Sequence, residues 1–279
     1  MSIDGHRDWD AVAEAWDAMA DATVAVDDDP TRAVTDAMVE ALAVAEGEQV
    51  LELAAGPGEL APVWSALVGP RGHVEVTDVA PAMVDAARRR CRALANVDVA
   101  VLDVDALDRP EGSVDVVASR MGLMFALDPA ATLTGIRRVL APGGRTAATT
   151  WAGMEHNPWV TCVGMAAMVH GVVTGGPPVG PGGLFSLGDP EVLAGLARGA
   201  GLADVEVRPF DVVFRAGSVD DHVDRVSRLA GPLARALAEA TPSQRDAVHR
   251  TATELISPHV TGTGGVAVPG RALLLVARR

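Results

Sequence analysis

The sequence predicts an α/β fold: a Rossmann-like, doubly wound, seven-stranded sheet, mostly parallel with one antiparallel strand, plus a helical cap. Three observations predict it. Short β-like runs alternate with helical stretches between residues 49 and 151, a rhythm that right-handed crossovers turn into a parallel sheet. The first run breaks into a glycine-rich turn, "LELAAGPGELA" at 51–61, just before a helical stretch. Two further strand-like runs, 204–215 and 271–279, enclose a long insert. That insert is too apolar for a linker and reads as part of a cap over the carboxyl edge of the sheet.

Taken in order, residues 8–25 place Trp9, Val12, Ala13, Trp16 and Met19 at spacings of three and four, a helical stripe that "DDDP" at 27–30 stops. A second helix is predicted over 31–45, before Gly47. Strands follow at 49–54, 73–78, 97–103, 114–119 and 145–151, with helices at 59–68, 81–95 and 128–140. "PGG" at 142–144 reads as the turn before the fifth strand. After Trp151 the spacing predicts a helix over 158–170, and the glycine- and proline-rich 171–183 predicts an irregular loop. Residues 189–202 form a helix ending near Gly201, 204–215 a strand that Pro209 interrupts, and 218–257 further helices. The expected organisation is one catalytic domain over 1–279. Its core covers about 46–152, 189–215 and 270–279; its cap covers about 1–45, 153–188 and 216–269.

Composition narrows the function. The 279 residues carry a net charge of -14, which opposes the phosphate neutralisation that nucleic-acid binding requires. The acidic, polar opening "MSIDGHRDWD" is unlike an export signal, and 159–173 is short for a membrane span. The expectation is a cytoplasmic protein with neither a nucleic-acid partner nor membrane insertion; homodimer formation stays open. Cys91 and Cys162 lack disulfide or metal-site spacing, so no metal is expected. All 23 basic residues are arginine and there is no tyrosine, which excludes Schiff-base lysine chemistry and phenolic acid–base chemistry.

In a doubly wound sheet, ligands bind outside the carboxyl ends of the strands, where strand order reverses. Four features converge there. Gly56 and Gly58 follow the first strand, Asp78 ends the second, Asp103 the third, and Ser119 and Arg120 the fourth. Gly56, Gly58 and Ala61 fit the dinucleotide pattern G-x-G-x-x-A, with Asp78 at about 20 residues beyond the turn. These letters alone suit a dinucleotide and a nucleoside cofactor without pyrophosphate equally.

The run "VLELAAGPGELA…VEVTDVAPAMVDAARRR…LDVDALDRPEGSVDVVASRMGLMFALDP…IRRVLAPGGRTAATTW", densest from Val50 to Trp151, resembles the class I S-adenosylmethionine-dependent methyltransferases. It especially resembles the small-molecule branch that looks like the ubiquinone and menaquinone methyltransferases. The resemblance implies S-adenosyl-L-methionine as cofactor. It assigns Gly56 and Gly58 to the methionine portion, Glu52 to the ammonium group through water, and Asp78 to the ribose hydroxyls. It places Val79 and Met83 on the adenine, Asp103 at the adenine amino group, the Val104 N–H at a ring nitrogen, and the Ser119 carbonyl at the ammonium. Two positions depart from the family pattern. Ala54 stands where a first glycine is usual, which an alanine tolerates at negative φ. Ala80 replaces a common capping serine, at a local cost of about 1 kcal/mol eased by Pro81.

The resemblance implies methyl transfer to a small, apolar or aromatic acceptor through O, N or C. His156, just beyond the fifth strand, is the candidate general base, with a solvated loop residue as the alternative; His6, His170 and His222 rank below it. Trp9, Trp16, Met124 and Trp159 are candidate walls of an acceptor pocket, together with Met121, Phe125, Met165 and Met168. Apolar residues at helical spacing also suit a plain core. Arg120 fits either an acidic acceptor group or a salt bridge tying cap to core. An NAD(P)-dependent oxidoreductase and a non-catalytic cofactor-binding regulator or scaffold are the competing readings.

Overall fold

The computed structural model describes residues 29–174, 178–229, 231–262 and 264–279. The predicted helix over 8–25, with Trp9 and Trp16, lies outside them. The strands are β1 (Gln49–Glu52), β2 (His73–Asp78), β3 (Val97–Val101), β4 (Val114–Arg120), β5 (Leu140–Trp151), β6 (Ala203–Ala216) and β7 (Val266–Arg278). They form one seven-stranded sheet in the order β3-β2-β1-β4-β5-β7-β6. β1 to β5 pair in parallel, and β7 runs antiparallel to both β5 and β6. The order reverses between β1 and β4, so the crevice of a doubly wound sheet opens at their carboxyl ends.

Nine α-helices occur among the described residues: α1 (Arg32–Leu42), α2 (Ala61–Val68), α3 (Pro81–Cys91), α4 (Pro129–Val139), α5 (Pro158–Val169), α6 (Pro190–Gly199), α7 (Val219–Leu229), α8 (Gly231–Glu239) and α9 (Pro242–Ile256). Proline occupies the first turn of several, where its missing N–H costs no helical hydrogen bond. α4 and α6 start at Asp128 and Asp189, whose carboxylates accept the N–H groups of Ala131 and of Glu191 and Val192. α9 starts at a reciprocal capping box between Thr241 and Gln244.

Four boundaries differ from the sequence expectation for physical reasons. α1 packs on β5 and β7, burying Val34, Met38 and Leu42 in the core. Its apolar stripe thus seats a helix that the sequence assigned to the cap. β6 runs straight through Pro209, which pairs with Leu273; β6 is an edge strand, where proline is tolerated. "PGG" lies inside β5 as an irregularity: Leu140 stands opposite Val114, and Arg145 already opposite Val116. β7 begins at Val266, several residues before the expected strand.

The insert between β6 and β7 holds α7, α8 and α9. β6 runs parallel to β5, both being antiparallel to β7, so the insert leaves the sheet at its carboxyl edge. There α9 packs on α5, and the buried His222 ring of α7 hydrogen-bonds the Trp159 carbonyl at 2.8 Å. Burial pushes the His222 pKa down, so a neutral ring donates this bond.

Candidate functional site

The turn after β1 is fastened on both sides. The Leu53 N–H donates to the Ala118 carbonyl of β4 at 2.8 Å, and the Ala55 N–H to the Thr77 carbonyl of β2 at 2.8 Å. Gly56 and Gly58 take left-handed φ of 56° and 71°. A Cβ on Gly58 would lie 3.1 Å from the Ala87 methyl of α3. Glycine therefore lets the turn fold back against that helix. Ala54 also sits left-handed, at φ 48°, against the negative φ expected of it. Its methyl stands 2.4 Å from the position a Cβ on Gly122 would take, so the turn after β1 and the segment after β4 touch where only one side chain fits. Met121, the residue between Arg120 and Gly122, is left-handed too at φ 55°, its N–H held by the Thr149 carbonyl and hydroxyl, each at 3.0 Å.

Asp78 ends β2 beside this turn. Its Oδ2 accepts the Gly56 N–H at 2.8 Å and its Oδ1 the Ala80 N–H at 2.9 Å. The second bond does part of what a capping serine at position 80 would do, since Ala80 itself caps nothing. Met83, on the first turn of α3, is buried with its sulfur 3.9 Å from where a Gly56 Cβ would be. Val79, the residue after Asp78, is half-buried.

Charge concentrates at the root of the turn. Glu52 is 1% exposed and its Oε2 has no hydrogen-bond partner. Burial raises its pKa to about 8, opposed by the Arg120 guanidinium and reinforced by Glu59 and Asp78. Arg120 is already engaged: one guanidinium nitrogen bonds Glu59 of the turn and another bonds Asp29 at 3.4 Å. Of its two sequence readings, the tie between chain segments is therefore the one its contacts make. Ser119 is buried, and its Oγ is another polar atom without a partner.

Asp103 follows β3. Its Oδ1 accepts the Asp105 N–H at 2.9 Å, and burial, then the nearby Asp105 charge, moves its pKa up. Val104 is buried. Asp105, which the sequence did not single out, is the local node. It accepts from the N–H groups of Leu127 and Asp128 and from the Thr132 hydroxyl, at 2.8, 3.2 and 2.9 Å. It thereby fixes the segment after β4 beside Asp103.

Glu52, Ala54, Gly56, Gly58, Asp78, Val79, Met83, Asp103, Val104, Ser119 and Arg120 thus gather at the carboxyl ends of β1 to β4. Three other sequence candidates have different surroundings. His156 is exposed, 3.4 Å from Glu155 and within electrostatic reach of Asp211 of β6; these neighbours lie toward the β6 side of β5. Trp159, read as a pocket wall, is a core residue: its ring stacks on Phe214 at 4.0 Å, tilts against Trp151 at 4.9 Å, and donates its indole N–H to Asn157. Met124 is 2% exposed within the same core. Asn157, which the sequence reading passed over, is fully buried. Its side-chain amide donates to the carbonyls of Ala152 and Arg271, and its oxygen accepts from the Arg271 N–H. Asn157 thus joins the start of α5 to β7. Among the described residues, no group of three or more His, Cys, Asp or Glu side chains is placed to hold a metal ion, and no helix is long and apolar enough to cross a membrane.

Residues 50–144 match the family described as a methyltransferase domain. This stretch thus carries the likeness to that family. It contains the glycine turn, Asp78, Asp103 and Ser119, so the match and the geometry fall on the same residues. The ubiquinone/menaquinone biosynthesis C-methyltransferase UbiE of Shewanella frigidimarina is 32% identical over 121 residues, covering 42% of this chain and 48% of that protein. An uncharacterized 37.1 kDa protein in transposon TN4556 of Streptomyces fradiae is 38% identical over 117 residues, 42% of this chain and 34% of that protein. The chain thus spans half or less of the length of these curated relatives. Over most of the chain the likeness is one of fold: the YcgJ protein of Bacillus subtilis superposes with a TM-score of 0.60 at 16% identity, covering 88% of this chain and 97% of that one.

Proposed function

We propose that the chain is an S-adenosylmethionine-dependent methyltransferase acting on a small apolar or aromatic molecule. The observation that carries this reading is the Asp78 carboxylate locked to the glycine turn at the β1/β4 switch point, inside the stretch that matches the methyltransferase-domain family. The site fits the cofactor on its own chemistry. Gly56 and Gly58 keep Cβ atoms out of the space along the turn, and the orphaned Oε2 of Glu52 and Oγ of Ser119 are polar groups in want of a partner.

When bound, the cofactor supplies a methyl group already activated on a sulfonium. Asp78 would orient it: its carboxylate, fixed by the Gly56 and Ala80 N–H groups, is the acceptor type that two vicinal hydroxyls require. Glu52 and Ser119 would face the ammonium end. Asp103, Val104, Val79 and Met83 would form the adenine seat. Met121 and Phe125, half-buried after β4, offer apolar surface beside the turn for the acceptor. The chain's contribution to rate is then orientation and exclusion of water, which can supply most of the acceleration for an activated donor. With His156 exposed and turned toward Glu155 and Asp211, the reading needs no histidine base.

Calorimetric titration with S-adenosylmethionine and, separately, with NAD tests the reading, followed by transfer of labelled methyl to a panel of phenols, amines, carboxylates and activated aromatic carbons. Micromolar S-adenosylmethionine binding and label transfer are expected. NAD binding in its place would restore the oxidoreductase reading; cofactor binding without transfer to any acceptor would favour the regulator.

A further inference from the structure

We propose that Glu52 stands protonated in the ligand-free site and releases its proton to solvent when an α-ammonium group docks beside it, so that binding of the cofactor's methionine end is proton-coupled. This rests on the functional reading above and adds to it a linkage between pH and affinity.

The argument begins with a charge imbalance in a closed space. Glu52 is 1% exposed and its Oε2 lacks a hydrogen-bond donor. Among the described residues, the charged and titratable groups facing it are Arg120 of β4, Glu59 of the turn, Asp78 of β2 and Cys91 of α3. The Trp64 indole of α2 also faces it without closing a hydrogen bond. Among the described residues, the cation in that set is Arg120, and it is bonded to Glu59 and Asp29. One guanidinium, bonded to Glu59 and Asp29, cannot also neutralise Glu52, and the most buried of these three carboxylates is the one most easily discharged by taking up a proton. Burial accordingly raises Glu52 to about 8. Cys91 is itself pushed up, by burial first and by Glu52 second, so the thiol stays neutral and does not compete for the role.

An ammonium placed at this end of the turn supplies the missing countercharge and a donor for the orphaned oxygen. The balance is simple. A carboxylic acid and a ligand ammonium become a carboxylate–ammonium pair, and one proton leaves to the buffer; no bond to carbon changes. Below about pH 8 the affinity then carries the cost of that proton and rises roughly tenfold per pH unit. Near pH 8 the gain flattens, as Glu52 ionises unaided and the ligand's own α-amino group begins to titrate.

The test uses the full chain at pH 6.5, where the ligand ammonium keeps its proton. Two probes are titrated in two buffers of different ionisation enthalpy. S-adenosylhomocysteine carries the amino-acid end without a transferable methyl; 5′-methylthioadenosine lacks that end. The expected result is release of about one proton per S-adenosylhomocysteine bound and almost none for 5′-methylthioadenosine. In E52Q the release with S-adenosylhomocysteine should vanish. Binding of S-adenosylhomocysteine to the wild-type chain without proton release, or with equal release for both probes, would overturn the inference and leave the functional reading standing. Failure of S-adenosylhomocysteine to bind would overturn the functional reading, and this inference with it. The wild-type comparison of the two probes decides the matter even if E52Q does not fold.

Discussion

The Oδ2 of Asp78 accepts the Gly56 N–H at 2.8 Å, so the carboxylate that ends β2 also fixes the turn that ends β1. Ligand contact and turn geometry therefore rest on one side chain. D78A should weaken S-adenosylmethionine binding by about 2 kcal/mol or more, through loss of charge-assisted hydrogen bonds. It should also lower stability by about 1–3 kcal/mol, because the Gly56 and Ala80 N–H groups lose their acceptor. Titration calorimetry and urea unfolding measure the two effects. Unchanged affinity would mean that the ribose is held by other groups.

The sequence made the sheet legible because its signals are local and repeated: alternating runs, glycine at the turn, a carboxylate at each of two strand ends. What it hid depends on partners distant in the chain. Pro209 reads as a strand breaker until β6 is known to be an edge. Trp159 at helical spacing suits a pocket or a core equally, and only the facing Phe214 decides it. Asp105 and Asn157 look like ordinary loop polars, yet each gathers hydrogen bonds from segments more than 20 residues away. The left-handed Ala54 was beyond prediction, since the residue type argues against that conformation.

His156 is exposed and lies 3.4 Å from Glu155. H156A should therefore leave turnover within about threefold of wild type, whereas loss of a general base costs about a hundredfold or more. Steady-state transfer assays on an accepted substrate separate these outcomes. A hundredfold fall would return His156 to the catalytic machinery.

The Ala54 methyl and the bare Cα of Gly122 share one space. Ala54 stays at φ 48°, so A54G should stabilise the protein by about 1 kcal/mol through relief of a left-handed alanine, less the entropy of an added glycine. G122A places a Cβ 2.4 Å from the Ala54 methyl and 3.1 Å from the Ser119 Oγ, and should cost about 2 kcal/mol by overpacking. The double variant A54G/G122A removes the closer clash but not the second. Its stability should exceed the additive sum by at least about 0.5 kcal/mol. Strict additivity in urea unfolding would show that the two positions do not compete for the same space.

Glu52 should make the ligand-free protein less stable as pH rises. Its carboxyl sits at about 8 in the fold against an ordinary 4.5, chiefly because burial disfavours the charge. Below pH 4.5 folded and unfolded chains both hold the proton, and the residue exerts no pH-dependent effect. Between 4.5 and about 8 the folded chain keeps a proton that the unfolded chain has released, so stability falls by roughly 1.4 kcal/mol per pH unit. Above about 8 both states are ionised and the loss is complete. Glutamine has the shape of the protonated acid and no titration, so E52Q should match wild type near pH 4.5 and exceed it progressively up to pH 8. Urea unfolding of both proteins at pH 5.5, 6.5 and 7.5 measures the gap, and contributions from the other titrating groups cancel in the difference. Parallel curves would mean that Glu52 is ionised in the empty site, with Arg120 supplying enough charge despite its bonds to Glu59 and Asp29.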